Sequence, residues 1–209
     1  MRVIAVIGDI VGSKEVARRD VFQRKLSAAL EATGGEGRAL ASPYTITLGD
    51  EFQAVYREAG PIFADIVDVL AEIHPVRARV AIGVGELSTR LNPKQALGMD
   101  GPAFHRAREA LTSLKGQKAL FRIAGDAAEP WALANHALNL VSHQLRRWER
   151  NRLLVLAGLL RGRSVREIEE GMRISRVAVY KNIRAAALDE VTAVCHELTR
   201  ALNAALHAP

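Results

Sequence analysis

A chain of 209 residues that is 49% hydrophobic and 25% charged has the composition of an ordinary folded protein and is long enough to bury a real core. No apolar run is long enough to span a bilayer, and Cys195, the one cysteine, excludes an internal disulfide and a cysteine zinc cluster. The net charge of +6 is unevenly placed: basic and acidic residues nearly cancel up to Ser142, whereas 146–184 holds eleven Lys or Arg against four Glu. The excess points to an anionic partner for the last third, most often nucleic acid, with a solvated helix face as the plainer alternative.

In chain order, Val3 to Ile7 is a short β-branched apolar run ending in turn residues, which predicts a buried strand carrying Asp9 at its end. With no signal-peptide pattern ahead of this strand and a single cysteine, a reducing cytoplasm is the expected compartment and no membrane partner is expected. Val11-Gly12-Ser13-Lys14 reads as a turn, and Arg19 to Thr33 has helical apolar spacing at Val21, Phe22, Leu26, Ala29 and Leu30. Gly34-Gly35-Glu36-Gly37 is expected to end that helix and open a mobile connection. Tyr44 to Tyr56 then predicts two strands meeting at Gly49-Asp50. A helix over Ala59 to His74, stopped by Pro75, precedes a strand within Val76 to Val84. After a loop, Pro102 opens a helix to Leu114, and Ala119 to Ala124 is a last short strand. This order predicts an α/β, ferredoxin-like sandwich over 1–124.

Gly125 to Pro130 reads as a linker, and Trp131 to Trp148 as a spacer or dimer helix, so that 125–149 joins the sandwich to an all-α domain over 150–209. In that domain Ser164 with Glu167 forms a capping-box pattern, Gly171 closes the helix, and Ser175 caps a further helix from Arg176 towards Ala187, with a helical pattern extending to Leu206. Trp131 and Trp148 are expected as core or interface aromatics, Cys195 as packed rather than reactive, and His74, His136 and His143 as surface or helix-packing residues.

The two acidic motifs converge if the hairpin pairs beside the first strand. Asp9 and Asp50 would then repel unless a cation or proton lies between them, and hard carboxylate oxygens suit Mg²⁺ shared with substrate phosphates. The plainer reading makes Asp9 a turn cap and Gly49-Asp50 a hairpin turn only.

The stretch Ser164 to Ala186 resembles a helix-turn-helix of the type found in sigma-factor region four and many response regulators. Ile168, Ile174, Val179 and Ile183 would form its core and Gly171 to Ile174 its turn. The resemblance implies DNA binding. Ser175, Arg176, Lys181 and Asn182 lie at or near the start of the recognition helix, Arg184 lies further along it, and Arg166 and Arg173 flank the turn towards the phosphate backbone. The plainer reading is an αα-hairpin used for dimer contacts.

Gly8-Asp9-Ile10-Val11-Gly12-Ser13 resembles the Asp-Ile-x-Gly strand end of class III nucleotide cyclases. Leu48-Gly49-Asp50-Glu51-Phe52 is similar to their hairpin and to the Gly-Gly-Asp-Glu-Phe hairpin of diguanylate cyclases. Arg79 to Gly85 resembles the following Arg-x-Gly strand. Over nearly its full length the chain resembles the SatD family. The cyclase resemblance implies a palm-like fold with Asp9, Asp50 and the Ile10 carbonyl as Mg²⁺ or Mn²⁺ ligands, and the amides of Val11, Gly12 and Ser13 near a nucleotide phosphate. Arg108, or alternatively Arg106, is the candidate for the transition-state role.

Two positions depart from the cyclase pattern: Ile46 stands where the base-reading Lys would fall and Phe104 where the catalytic Asn would fall, and neighbouring His105 could replace that Asn only with a shift of register. Losing such contacts usually costs orders of magnitude in rate, so binding is favoured over catalysis. The first expectation is a DNA-binding regulator with a nucleotide- or metal-binding sensory domain. The second is an Mg-dependent enzyme acting on a nucleotide triphosphate and targeted by the helix-turn-helix. The third is a structural dimerisation domain with a dead site. A homodimer fits all three.

Overall fold

The computed structural model describes residues 1–33, 39–127 and 129–208; the expected Gly34–Gly37 connection, and Ala128 of the expected linker, lie outside the described residues. The elements run β1 (Arg2–Ile10), α1 (Arg19–Ala32), β2 (Leu40–Leu48), β3 (Glu51–Tyr56), α2 (Ile62–Ile73), β4 (Ala78–Glu86), α3 (Pro102–Leu114) and β5 (Phe121–Ala124). They continue as α4 (Glu129–Leu145), α5 (Arg150–Leu160), α6 (Val165–Met172), α7 (Arg176–Ala185) and α8 (Leu188–Leu206). The sheet has five strands in the order β2-β3-β1-β4-β5. β1 is antiparallel to both neighbours, and β5 is added parallel to β4. The first four strands with α1 and α2 form the expected ferredoxin-like sandwich.

β1 is apolar almost throughout because both of its faces are covered. Ile4, Val6 and Ile10 belong to the core that contains α1 and α2, whereas Val3, Ala5 and Ile7 belong to the core beneath α3. α3 lies directly on β4 because Gly83 lacks a side chain: a Cβ there would run into the Ala103 carbonyl and the backbone nitrogen of Ala107. That close approach brings the helix, and Arg108 on it, over the edge of the sheet.

The helices after β5 are built into the same body. Asn135 of α4 takes the place of a further strand: its side-chain oxygen accepts from the Ile123 amide at 2.8 Å and its nitrogen donates to the Ile123 carbonyl at 2.9 Å. Ser142 accepts the Leu120 amide at 3.0 Å. The helix expected as a spacer is thus docked on the sheet edge, with Trp131 and Trp148 buried. Leu153, Val155 and Leu156 of α5 share one core with Ile62, Ile66 and Leu70 of α2, so 1–124, 125–149 and 150–209 meet in a continuous apolar interior. Cys195 is buried there, and burial pushes its thiol up to about 12.

A buried polar joint fastens the helices to the sheet. Asp65 of α2 is 2% exposed; it accepts from the Tyr56 hydroxyl at 2.8 Å and from Arg161, at the end of α5, at 2.9 Å. Arg161 also reaches Asp68 at 2.8 Å. Burial raises both carboxyls above their ordinary value, and the Arg161 guanidinium opposes the shift. Among the described residues no helix is long and apolar enough to cross a membrane.

Two boundaries differ from the sequence expectation. Gly171 does not close α6; the helix runs to Met172 and Arg173 takes the left-handed cap at φ 54°, its amide reaching the carbonyls of Glu169 and Glu170. The turn is therefore Arg173-Ile174-Ser175 rather than Gly171 to Ile174. The helical pattern to Leu206 is also broken, by left-handed Ala187 at φ 47°, which separates α7 from α8.

Candidate functional site

Strand register sets out the acidic end of the sheet. Asp9 lies opposite Glu51 on β3 and opposite Arg79 on β4, and directly paired residues share a face, so the three form a row on the α3 side. The hairpin turn is tied to the end of β1 by the Ile10 amide, which donates to the Asp50 carbonyl at 3.1 Å. Gly12 takes the left-handed conformation at φ 66°, which bends the chain so that the Ser13 hydroxyl donates to the Asp50 carboxylate. Asp9 and Asp50 therefore stand at one end of the sheet, Asp9 met by Arg79 and Asp50 by Ser13.

The carboxylates are met by groups of the chain itself. Arg79 donates to Asp9 at 3.2 Å, and Arg108 to Glu51 at 3.4 Å. Burial pushes the Asp9 carboxyl above its ordinary value, outweighing the nearby charges of Arg79 and Lys115. Among the described residues no three His, Cys, Asp or Glu are grouped to hold a metal. Two carboxylates with hard oxygens still fit the kind of Mg²⁺ that completes its shell with water and phosphate, not a cage made of protein alone. Of the three turn amides, that of Val11 is already taken, donating to the Arg77 carbonyl at 2.8 Å.

The departures from the cyclase pattern have packing reasons. Phe104 is 3% exposed in the core beneath α3, with Ala5 and Ile7. Ile46 pairs with Phe52 and packs on the opposite face of the sheet from Asp9. Neither position presents a side chain to the acidic row. Arg106 is bound to the Val84 carbonyl at 2.8 Å and to Asp126 at 2.7 Å, which leaves Arg108 as the arginine of α3 at the acidic end. Exposed His105 pairs with Asp100 at 2.7 Å.

The α6–α7 pair is the second arrangement. Both halves of the capping box form between Ser164 and Glu167, and Ser175 caps α7 through the Ala178 amide at 3.2 Å. Glu169 fixes one helix to the other, one oxygen accepting the Arg176 amide and the other its Nε, both at 3.1 Å. Ile168, Val179 and Ile183 are buried between them, Ile174 is half-buried, and α6 passes close to Gly158 of α5, where a Cβ would strike Ile168.

The residues expected to face DNA divide into three groups. Arg176 is paired with Glu169 and Arg166 with Glu170, the latter an exposed pair worth little. Asn182 turns inward, accepting from Arg152 at 3.3 Å and donating to the Ala178 carbonyl at 2.9 Å, while Ser175 serves as the cap. Arg173, Lys181 and Arg184 are exposed and, among the described residues, meet no carboxylate. Sequence reasoning missed Val177, 77% exposed, and Tyr180, 43% exposed, on whose ring Arg184 lies at 5.8 Å. The signal was present: 177, 180, 181 and 184 fall on one stripe opposite Val179 and Ile183.

The fold is thus an α/β, ferredoxin-like sandwich with its acidic hairpin beside the first strand, carrying an all-α unit. The SatD family profile matches residues 3–190, and the chain belongs to the SatD family. Among solved structures, it is similar to a bacterial light-regulated adenylyl cyclase, with 15% identity and a TM-score of 0.41, over 59% of this chain and 42% of that chain. It is also similar to a regulator of polyketide synthase expression from Bifidobacterium adolescentis, with 14% identity and a TM-score of 0.27, over all of this chain and 87% of that one. Likenesses this distant carry nothing about ligand or activity. No curated protein matches.

Proposed function

We propose that this SatD-family chain is a cytoplasmic DNA-binding transcriptional regulator, with α6 and α7 as its helix-turn-helix and the acidic end of the sheet as a sensory site for a nucleotide with Mg²⁺ or Mn²⁺. The observation that carries the reading is the preorganised α7: capped by Ser175, locked to α6 by Glu169, and presenting Lys181 and Arg184 without carboxylate partners among the described residues. In such a pair the second helix enters the major groove and the surrounding cations meet phosphates.

At the sensory site Asp9, Asp50 and the Ile10 carbonyl would hold the cation, which supplies charge neutralisation for the phosphates when bound. Gly12 and Ser13 border the turn on which a phosphate would rest. Phosphate would also draw Arg79 from Asp9 and Arg108 from Glu51, freeing the carboxylate for the cation as the anion arrives. A homodimer would place two α7 helices on successive half-sites. Leu133 and Leu140 of α4 are 79% and 73% exposed, a surface suited to that contact.

The test is binding of the full chain to duplex DNA at two salt concentrations, with and without Mg²⁺ and nucleotide. Steep weakening with salt, and loss on removing Lys181 and Arg184, are expected. Equal binding by the wild type and that double variant would overturn the reading. Truncation after Glu129 is unsuitable as a test, because it would strip α5 from the core it shares with α2. The second reading, an Mg-dependent enzyme acting on nucleotide triphosphates, is favoured by Arg108 beside Glu51. Product analysis after incubation with ATP, GTP and Mn²⁺ distinguishes it, and robust cyclic nucleotide or diphosphate formation would put it first.

A further inference from the structure

We infer that α7 recognises thymine, with Val177 and Tyr180 lying against 5-methyl groups in the major groove; the inference rests on the DNA-binding reading of the α6–α7 pair. Val177 sits in the first turn of α7 with 77% of its surface exposed, and Tyr180 follows at 43%. Seven large hydrophobic residues are exposed among the described residues, and this ten-residue helix holds two of them on one stripe. Valine does nothing for the helix there: its propensity is low, and it neither caps nor packs. Its single favoured helical rotamer does hold two methyl groups rigidly outward.

What can cover these groups is limited by their neighbours. Lys181 and Arg184 lie on the same stripe and Arg173 lies in the turn, and none of the three meets a carboxylate among the described residues. A purely apolar partner would leave those cations buried and unanswered, at high cost. The major groove answers both demands. Phosphates on its walls meet the cations, and the thymine methyl is its distinctive apolar feature, one that valine can read without a hydrogen bond. The stripe from Val177 to Arg184 spans about 10 Å of helix, the length of about three base pairs. Arg184 over the Tyr180 ring keeps that ring in the stripe.

The test begins with duplexes selected by the full chain from a random pool. Each thymine of the selected site is then replaced by deoxyuridine, which removes the methyl group and keeps every hydrogen-bonding edge. Wild type should lose about four-fold in affinity at each of two positions, the worth of one buried methyl group. Val177→Ala should bind the uridine and thymine duplexes equally at one of those positions and Tyr180→Ala at the other; both residues are exposed, so circular dichroism should match wild type. Selected DNA whose affinity ignores every uridine replacement overturns the thymine inference while leaving the DNA reading standing. Sensitivity that survives in both variants overturns the assignment to Val177 and Tyr180. Failure of the full chain to retain any duplex at low salt overturns the DNA reading and this inference together.

Discussion

The acidic end of the sheet and the exposed stripe of α7 treat charge in opposite ways. At the sheet end Asp9 has Arg79, Glu51 has Arg108 and Asp50 has Ser13, so carboxylates gathered by strand register are met within the chain. On α7, inward-facing Asn182 is engaged by Arg152 and exposed Arg176 is paired with Glu169, while Lys181 and Arg184 are left outward. Under the proposed reading, a site whose charges are answered internally would exchange partners to bind, which suits a ligand that brings both a cation and an anion. A surface with unanswered cations needs only the anion.

The largest effect is expected at the joint between the two regions. Arg161→Ala leaves Asp65 buried without its cation and should cost about 3–5 kcal/mol in thermal or urea unfolding of the full chain. The sign of its pH dependence follows from burial. The Asp65 and Asp68 carboxyls titrate in the folded protein above the ordinary value of 3.8, so between 3.8 and the raised value the folded state holds more protons than the unfolded. Their contribution favours folding at low pH and is lost as pH rises through the raised value. Without Arg161 to oppose the shift, the deficit relative to wild type should be greatest near neutral pH and shrink towards 3.8. A deficit independent of pH would show that Arg161 acts by packing alone.

Next in size is the outward stripe. Removing Lys181 and Arg184 together should lower affinity for all duplexes by on the order of a hundred-fold and flatten the salt slope by about 2. An unchanged slope would mean that neither cation meets phosphate. At the sheet end, Asp9→Ala or Asp50→Ala should weaken Mg²⁺-dependent nucleotide retention by about ten-fold, read by calorimetry, with little change in DNA affinity measured without nucleotide. The smallest effect sharpens the contrast: Arg79→Ala removes the internal partner of Asp9 and should strengthen Mn²⁺ binding in the absence of nucleotide by about two- to five-fold. Weaker Mn²⁺ binding in that variant would mean that Arg79 positions Asp9 rather than competes for it.

Much of this was legible because local rules and tertiary structure agree. Period-two and helical apolar patterns gave the strand and helix order, and Ser164 and Ser175 marked helix starts that the structure caps as expected. Arg173 and Ala187 were not legible: each takes the left-handed conformation at a residue other than glycine, so no glycine marks the turn. The docking of α4 was equally hidden, since Asn135 looks like any polar helix residue until β5 offers it an open edge.

By itself the sequence determined the α/β order, the acidic motifs at a strand end and a hairpin, and the basic last third, because each is written in neighbouring residues through periodicity, turn chemistry and charge. Only the tertiary structure decided that Phe104 is core, that Arg108 rather than Arg106 reaches the acidic row, that Asn182 faces inward and that Val177 and Tyr180 face out. The reason is physical: which side of an element is covered depends on the distant segment that packs against it, here α3 over Gly83 and α5 beneath α7, and no local pattern carries that information.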